Sequence, residues 1–307
     1  MKYLVIVNPT SGRGYAETAI PEIENYLKSH ELDFEIKRTT KEWEAAEFAE
    51  KAAREGVEIV VCASGDGTAN ETLNGLMRAR EAGFTQTAMG LLPVGTGNDF
   101  AYGMGIEEGI EKACEILAKN HQEMMDVGQV RGGDYPDGRY FGNGVGIGFD
   151  AAVGFEAEKI RWTRGLLAYL IAAMQTVFIY YKSPTVEISY NEELFSQPSL
   201  MVSVMNGQRM GGGFYMTPKA SPKDGLLDFC IAREAGKLRI FELITYFLKG
   251  TQEGQPEIKT GQTQKINVKA ITGSLPAHCD GETLCYKGKE LEISLLPKAI
   301  PFIVPEL

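Results

Sequence analysis

The first 125 residues alternate short β-branched runs with helix-forming stretches, and this alternation restricts the fold more than any other feature. The runs are KYLVIV, DFEIKRTT, VEIVVCA and AMGLLPV, and a helix-forming stretch follows each of them. Such repeated alternation predicts βαβ units and a mostly parallel sheet. Because ligands of these sheets bind beyond the carboxyl ends of the strands, we expect the functional site at that edge.

A different pattern begins after residue 125. Short apolar or alternating runs follow, separated by Gly, Pro, Asn and Asp, and they include RYFGNGVGIGF, TVEISYN, LLDFCIA, KINVKAI and ETLCYKG. This pattern predicts a β-sandwich or barrel, interrupted mainly by helix at 155–181 and in GKLRIFELITYFLKG. We therefore predict an α/β domain over 1–125 and a mainly β-sandwich domain over 126–295, with 296–307 returning to the first domain.

Composition excludes several classes of protein. With 44% hydrophobic and 23% charged residues, the chain is typical of a soluble globular protein. A net charge of -10 argues against a protein that relies on a basic surface to bind nucleic acid or anionic lipid, although a local basic patch stays open. Five cysteines without a Cys-x-x-Cys pair indicate the reduced thiols of a cytoplasmic protein. The N-terminus lacks the apolar length of a signal peptide and is interpreted as a first strand.

One apolar segment, GLLAYLIAAMQTVFIYY at 165–181, carries no charge between Arg164 and Lys182. It falls just short of the length that a membrane-spanning helix needs, and Gln175 lies within it. We therefore predict a helix that is buried or lines a cleft, with a membrane span as the alternative.

Three loops of the first half share a composition that suits a phosphate. NPTSGRG (8–14), SGDGTANE (64–71) and PVGTGNDF (93–100) each follow an apolar strand. Glycine lets the backbone approach an anion, and a helix that starts just after the loop adds unpaired N–H groups. Arg13 can add a charge-assisted hydrogen bond. The glycines are Gly12, Gly14, Gly65, Gly67, Gly95 and Gly97, and the hydroxyl donors are Ser11, Ser64, Thr68 and Thr96.

The carboxylates of Asp66 and Asp99 would repel a bare phosphate, so these loops predict a divalent cation, most simply Mg²⁺. Taken singly, each loop is more often a structural turn, and Asp66 could cap a helix over residues 69–81. The sequence contains no Gly-x4-Gly-Lys-Ser/Thr loop, and Asn70 stands where a Gly-x-Gly-x-x-Gly motif would have its last glycine. The histidines are too scattered for a zinc-hydrolase motif.

The three loops resemble the diacylglycerol kinase catalytic domain, whose superfamily includes bacterial lipid kinases and sphingosine kinases. NPTSG, SGDGT followed by NE, and LPVGTGNDFA occur in the order and spacing of that family. The resemblance continues through FGNGVGIGFDAAV (141–153), NGQRMGGGFYMTPKASPKDGLLD (206–228) and HCDGE (278–282). It implies an N-terminal α/β domain similar to phosphofructokinases and NAD kinases, followed by a mainly β-sandwich domain.

The resemblance implies an ATP- and Mg²⁺-dependent lipid kinase of lipid metabolism that phosphorylates the hydroxyl of a lipid alcohol, most simply a diacylglycerol. The first domain would bind the nucleotide and the second the lipid, with brief peripheral contact of a cytoplasmic protein with the membrane. A sphingoid base, phosphatidylglycerol or another lipid alcohol stays open as acceptor, and so does a homodimer. The alternatives are a soluble-metabolite kinase of the NAD type and a catalytically weak regulator that binds nucleotide or lipid.

The resemblance also implies roles for particular residues. Asp66, Asp99 and Arg13 resemble the network that holds the catalytic Mg²⁺ through water. The DGE segment resembles the one that carries the catalytic base, for which Glu282 is our first choice and Asp280 the alternative. The implied nucleotide contacts are Asn8, Ser11, Thr40, Ser64, Gly65, Asp66, Gly67, Thr68, Ala69, Asn70 and Thr96.

A second, structural metal ion is implied by SPKDGL. Asp224 would give its carboxylate, and Ser221 and Leu226 would give backbone carbonyls. The chain departs from the family at three positions. Ser64 stands where the family usually has Gly. Arg13 stands where relatives often have Lys, and its guanidinium is larger and planar. Lys223 stands where relatives often have an acid, and this weakens the negative charge of the second metal site.

Overall fold

The protein is described by a computed structural model that covers residues 2–106, 109–160, 162–163, 165–179 and 183–306. Two compact units divide the chain: unit 1 is Met1–Val127 with Pro297–Leu307, and unit 2 is Gly128–Leu296. Buried apolar residues form a core within each unit.

Unit 1 contains the predicted alternation of strands and helices. Its strands β1, β2, β3 and β4 run parallel in the order β4-β3-β1-β2, and the end of a later strand places Phe302 parallel beside Met89. The elements are β1 (Lys2–Val7), α1 (Tyr15–Ser29), β2 (Asp33–Arg38), α2 (Glu44–Arg54), β3 (Ile59–Ser64), α3 (Asp66–Glu81), β4 (Ala88–Pro93), α4 (Asp99–Gly103) and α5 (Ile110–Lys119).

The core of unit 1 follows from its apolar runs. All six residues of β3 are buried, as expected for a parallel strand that is covered on both faces. Helix α2 buries five alanines, and its backbone lies against α3 so closely that a Cβ at Gly75 would be 2.2 Å from the carbonyl oxygen of Ala46. Small residues on both helices therefore set this packing distance.

Unit 2 is mainly antiparallel. Its strands follow the order β14-β13-β7-β9-β8-β12-β15, while β10 pairs with both β9 and β11. The elements are β5 (Gln122–Gly132), β6 (Tyr135–Phe141), β7 (Gly144–Gly148), α6 (Phe149–Ala157), α7 (Leu166–Ile179), β8 (Thr185–Tyr190), β9 (Glu193–Met205), β10 (Leu227–Arg233), α8 (Lys237–Lys249), β11 (Ile258–Thr263), β12 (Lys265–Ala270), β13 (Leu275–Cys279), β14 (Glu282–Gly288) and β15 (Glu290–Ile303).

Two predictions for the second half need correction. The run RYFGNGVGIGF is not one strand, because the chain turns at Gly142 and Asn143 between β6 and β7. The helical stretch predicted over 155–181 is divided between α6, which begins at Phe149, and α7, which begins at Leu166. The reason for both corrections is local: glycine and polar residues interrupt what an apolar count treats as continuous.

Helix α7 is buried along one side only. Ala172, Ala173 and Val177 belong to an apolar cluster that also contains Leu243 and Phe247 of α8. Residues 180 and 181, with which the predicted apolar segment ends, lie outside the described residues, as do the flanking positions 164 and 182. Within the described ranges, no helix combines the length and the apolar character that crossing a membrane requires.

Candidate functional site

The three glycine loops of unit 1 follow adjacent parallel strands. The register pairs Val7 of β1 with Ala63 of β3, and Ser64 of β3 with Pro93 of β4. The loops that begin at residues 8, 64 and 94 therefore leave the sheet at the same edge. This is the edge at which open α/β sheets bind ligands.

Direct contacts join these loops to one another. Asn8 Nδ2 donates to Thr68 Oγ1 at 3.2 Å. A Cβ at Gly95 would be 2.3 Å from the Cα of Gly65, and a Cβ at Gly65 would be 3.3 Å from Ser11 Oγ. Glycine at 95 is therefore required by backbone contact with the second loop, and a side chain at 65 would be crowded.

The first loop has an unusual backbone. Gly12, Arg13 and Gly14 have φ values of 58°, 59° and 89°. The left-handed region costs little for glycine but is disfavoured for arginine. Arg13 is exposed, so this turn presents a guanidinium shortly before α1, and helix N-termini favour anions.

Asp66 joins the second loop to the third. The backbone N–H of Phe100 donates to Asp66 Oδ1 at 2.9 Å. Phe100 follows Asp99, which is 6% exposed and begins α4, so the two carboxylates stand at the starts of neighbouring helices. Helix α3 begins at Asp66 with Gly65 as its extended N-cap, three residues before residue 69, the start of the alternative helix that Asp66 would cap.

The implied nucleotide contacts are not equally placed. Thr96 is exposed, and Ser11, Gly65 and Gly67 are half-buried on the loops. Ala69 and Asn70 are buried inside α3, where Asn74 Nδ2 donates to the carbonyl and Oδ1 of Asn70. The side chains of Ala69 and Asn70 are therefore buried, and the side chain of Asn70 bonds within α3.

Two further implied contacts have different surroundings. Ser64 Oγ is buried and finds no hydrogen-bond partner among the described residues. Thr40 is exposed after β2, and both its N–H and its hydroxyl donate to Glu44 Oε2. These bonds hold the pKa of Glu44 below its usual range.

The DGE segment of unit 2 forms a tight hairpin between β13 and β14. Asp280 and Gly281 have φ values of 48° and 84°, as a two-residue type I′ turn requires. Asp280 is only 3% exposed, and three backbone N–H groups donate to its carboxylate: Asn143 and Gly144 to Oδ1 at 3.0 and 2.8 Å, and Gly142 to Oδ2 at 2.9 Å. Asp280 therefore ties the hairpin to the turn that precedes β7.

Glu282 has the opposite environment. It is exposed at the start of β14 and pairs with Cys279 across the hairpin. Burial, and next the charge of Glu282, raise the pKa of Glu158, which directly follows α6. Of the two acids on the hairpin, Glu282 is thus the one whose carboxylate is accessible to a reactant.

The segment implied for a second metal ion is a surface turn. Asp224 is exposed, and the N–H of Leu226 donates to its Oδ1 at 3.0 Å. Ser221 is half-buried, and Lys223 is exposed. Leu226 also lines a cavity of about 560 Å³ between β8 and the link from β11 to β12. Within the described ranges, no three His, Cys, Asp or Glu side chains are grouped so that they could hold a metal ion.

Comparison with known proteins agrees with both units. Residues 2–130 match the diacylglycerol kinase catalytic domain, and residues 143–304 match the YegS C-terminal NAD kinase β-sandwich-like domain. The chain belongs to the diacylglycerol kinase family. It is therefore a kinase, and membership of this family implies ATP as the phosphoryl donor.

Individual relatives span nearly the whole chain. The chain is 31% identical over 304 residues to a protein of Enterobacter sp. (strain 638) named probable lipid kinase YegS-like, which covers 98% of this chain and 95% of the relative. It is 28% identical over 280 residues to the diacylglycerol kinase of Bacillus subtilis (strain 168), and the match covers 91% of this chain and 88% of that protein.

Solved structures agree on the fold. A diacylglycerol kinase from Bacillus anthracis str. Sterne superposes with a TM-score of 0.74 at 22% identity, covering 99% of this chain and 97% of that one. Yeast NADH kinase superposes with a TM-score of 0.52 at 10% identity, and the match covers 100% of this chain and 84% of that one. The predicted fold class, an α/β domain followed by a mainly β-sandwich domain, is confirmed.

Sequence reasoning missed several residues that shape these sites. Asn98 Oδ1 accepts from the N–H of Gly95 at 3.0 Å while its Nδ2 donates to the carbonyl of Gly95, which closes the third loop. Asn143 and Asp150 lie in the FGNGVGIGFDAAV segment, which the sequence singles out only as a motif. Asn143 and Asp150 could have been identified from the sequence, because they are the polar residues that interrupt or directly follow this glycine-rich run.

Proposed function

We propose that this chain is an Mg²⁺-dependent lipid kinase that transfers the γ-phosphoryl group of ATP to the hydroxyl of a lipid alcohol. The name of the Bacillus subtilis relative favours diacylglycerol as the acceptor. The observation that carries the proposal is the contact among three glycine loops at one edge of a parallel sheet, in a chain of the diacylglycerol kinase family. Phosphoryl transfer needs positioning, charge neutralisation and a proton acceptor, and each has candidate residues here.

Unit 1 would bind the nucleotide. The glycines at 12, 65 and 95 let the loop backbones lie close to one another and would let them approach an anion, and the 16-residue helix α3 adds the positive end of its dipole. The hydroxyls of Ser11 and Thr96 and the guanidinium of Arg13 are the side-chain donors that we assign to the phosphates.

The donor set of the loops fits a magnesium ion. Mg²⁺ in nucleotide sites is usually bound by one or two carboxylates together with phosphates and retained water, and Asp66 and Asp99 supply two carboxylates from neighbouring helix starts. When bound, the ion would neutralise charge on the transferred phosphate. A second ion at Ser221, Asp224 and Leu226 stays a prediction.

We assign the proton acceptor to Glu282. Its carboxylate is exposed on a hairpin of fixed geometry, whereas the carboxylate of Asp280 is engaged by three N–H groups. A positioned general base contributes about 10²- to 10⁴-fold to the rate of such a reaction. Asp280 is then a positioning residue for the turn.

Unit 2 also carries an apolar face that suits a membrane surface. Leu167, Met174 and Phe178 lie on one side of α7 and are 52%, 49% and 65% exposed. Leu238 at the start of α8 is exposed as well, and Lys237 Nζ lies 5.0 Å from the ring of Phe178. The sequence from 159 to 186 contains four basic residues and no acid, in a chain of net charge -10.

Apolar side chains beside cations favour binding at an anionic lipid surface. We therefore propose that this face contacts the membrane transiently. Replacing Leu167 and Phe178 together by Gln should lower co-sedimentation with phosphatidylglycerol-containing vesicles while ATP binding stays normal. Vesicle binding equal to that of the wild type would remove this face from the proposal.

The proposed activity is tested by incubating the protein with γ-labelled ATP, Mg²⁺ and a total lipid extract, and then separating organic from aqueous products. Label in the organic phase supports a lipid kinase. Label in a water-soluble metabolite would support the NAD-type alternative, and ATP binding without any transfer would support a regulator.

A further inference from the structure

Three neighbouring strands of unit 2 bring a serine, an aspartate and a histidine together. In the register of β13, β7 and β9, His278 lies opposite Gly146, and Gly146 lies opposite Ser203. Side chains of residues paired in this way share one face of the sheet. The carboxylate of Asp150 occupies the space above Gly146, since a Cβ there would be 2.3 Å from His278 Nε2 and 2.5 Å from Asp150 Oδ2.

Asp150 bridges the other two side chains. Ser203 Oγ donates to Asp150 Oδ2 at 2.8 Å, and His278 Nε2 lies 3.4 Å from Asp150 Oδ1. Ser203 is fully buried, and His278 is 6% exposed. A carboxylate in such surroundings is costly unless polar groups face both oxygens, so these three residues are mutually dependent.

The histidine carries a further cost that packing does not explain. His278 Nδ1 is buried and finds no hydrogen-bond partner within the described part of the chain. A polar atom that is buried without a hydrogen bond destabilises the folded state. Buried polar atoms of this kind call for a specific explanation, and a functional role is a common one.

This network lies beside the hairpin that carries Glu282. Asp280 binds the N–H groups of residues 142–144 just before β7, while His278 contacts Asp150 just after β7. Strand β13 is thereby fixed to both ends of β7. Burial and Glu282 raise the pKa of Glu158, and His278 offsets part of that rise, so the histidine also lies within electrostatic reach of these acids.

We propose that Ser203, Asp150 and His278 form a positioning network that fixes the hairpin of Glu282 at a second point, and that this network sets the turnover rate. Asp150 orients the imidazole, and Ser203 orients Asp150. Glu282 takes the proton of the acceptor hydroxyl, and His278 transfers none. This inference rests on the proposed lipid kinase function.

Two amide substitutions at position 278 test the network. The side-chain nitrogen of glutamine can reach the place of the imidazole Nε2 and donate to Asp150, whereas that of asparagine reaches only the place of Nδ1. His278→Asn should lower kcat about tenfold to a hundredfold, as expected for a misplaced catalytic group. His278→Gln should stay close to the wild-type kcat, and the KM for ATP should be unchanged in both.

Stability is controlled with Ile188→Val, which removes one methyl group from the fully buried core of unit 2 and costs about 0.5–1.5 kcal/mol. The kcat of His278→Asn should fall well below that of this control. Amide hydrogen exchange gives a second measurement that needs no activity. Exchange at residues 142–144 should be faster in His278→Asn than in His278→Gln, and equal in both at residues 186–188.

The outcomes separate this inference from the proposed function. If the wild type phosphorylates lipid while the Gln and Asn variants have equal kcat and equal exchange, the network has no positioning role. If His278→Asn loses no more activity than Ile188→Val, the residue is structural only. A wild type that phosphorylates no lipid refutes the proposed function, while exchange at residues 142–144 still tests whether the network holds the turn before β7.

Discussion

Asp280 is expected to stabilise unit 2 rather than to accept a proton, and Asp280→Asn tests this expectation. The carboxylate accepts three backbone N–H groups, two at Oδ1 and one at Oδ2. Asparagine offers one acceptor oxygen. With that oxygen in the place of Oδ1, the NH₂ group faces the N–H of Gly142, and two donors oppose each other.

The cost follows from these three contacts. Losing one hydrogen bond to a charged group costs about 1.5–3 kcal/mol, and weakening two others to neutral bonds costs about 1 kcal/mol each. The total of about 3.5–5 kcal/mol corresponds to a fall in Tm of roughly 7–20 °C for a unit of this size. Circular dichroism during thermal unfolding measures it. A Tm within about 2 °C of the wild type, together with lost activity, would refute the structural role of Asp280.

Three further predictions concern the site and its charges. Glu282→Gln should lower kcat about 10²- to 10⁴-fold without a change in Tm, while Glu192→Gln, an exposed acid on another hairpin of unit 2, should change neither; a normal kcat in Glu282→Gln would exclude it as the base. Because the pKa of Glu158 is raised in the folded protein, its ionisation costs stability as pH rises above its unfolded value of about 4.3, so Glu158→Gln should raise Tm at neutral pH and not at acidic pH, and equal shifts at both would contradict this sign. Gly95→Ala should raise the KM for ATP and leave that for lipid unchanged, because its Cβ would be 2.3 Å from the Cα of Gly65; an unchanged KM for ATP would show that contact between the loops is not needed.

The fold was predictable where the spacing of apolar residues in the sequence matches the period of the strand or helix that they form. The four parallel strands of unit 1 follow from β-branched runs that are separated by helix-forming stretches. The start of α3 was misjudged because glycine and aspartate in SGDGT indicate a loop, while the contact that holds Asp66 comes from Phe100, 34 residues away. The secondary-structure propensity of neighbouring residues contains no information about so distant a partner.

The sequence predicted the loops of the candidate site, but it did not predict which acid of the hairpin is buried and which is accessible. DGE indicates a hairpin and two candidate acids. The burial of Asp280 depends on N–H groups 136 to 138 residues away, and the contact of His278 with Asp150 spans 128 residues. These partners meet only because β13 pairs with β7, a long-range choice that residue spacing does not encode.

The central claim, phosphoryl transfer from ATP to a lipid hydroxyl with Asp66 in the metal site, is tested most directly by measuring label in chloroform-soluble product. Purified diacylglycerol, Mg²⁺ and γ-labelled ATP would be incubated with the wild type and with Asp66→Asn, which can still accept the N–H of Phe100. We predict labelled lipid from the wild type and a fall of about 10²-fold or more in the variant, as for loss of a key electrostatic group, with Tm unchanged. Equal labelling by both proteins, or ATP binding by the wild type without labelled lipid, would contradict the account.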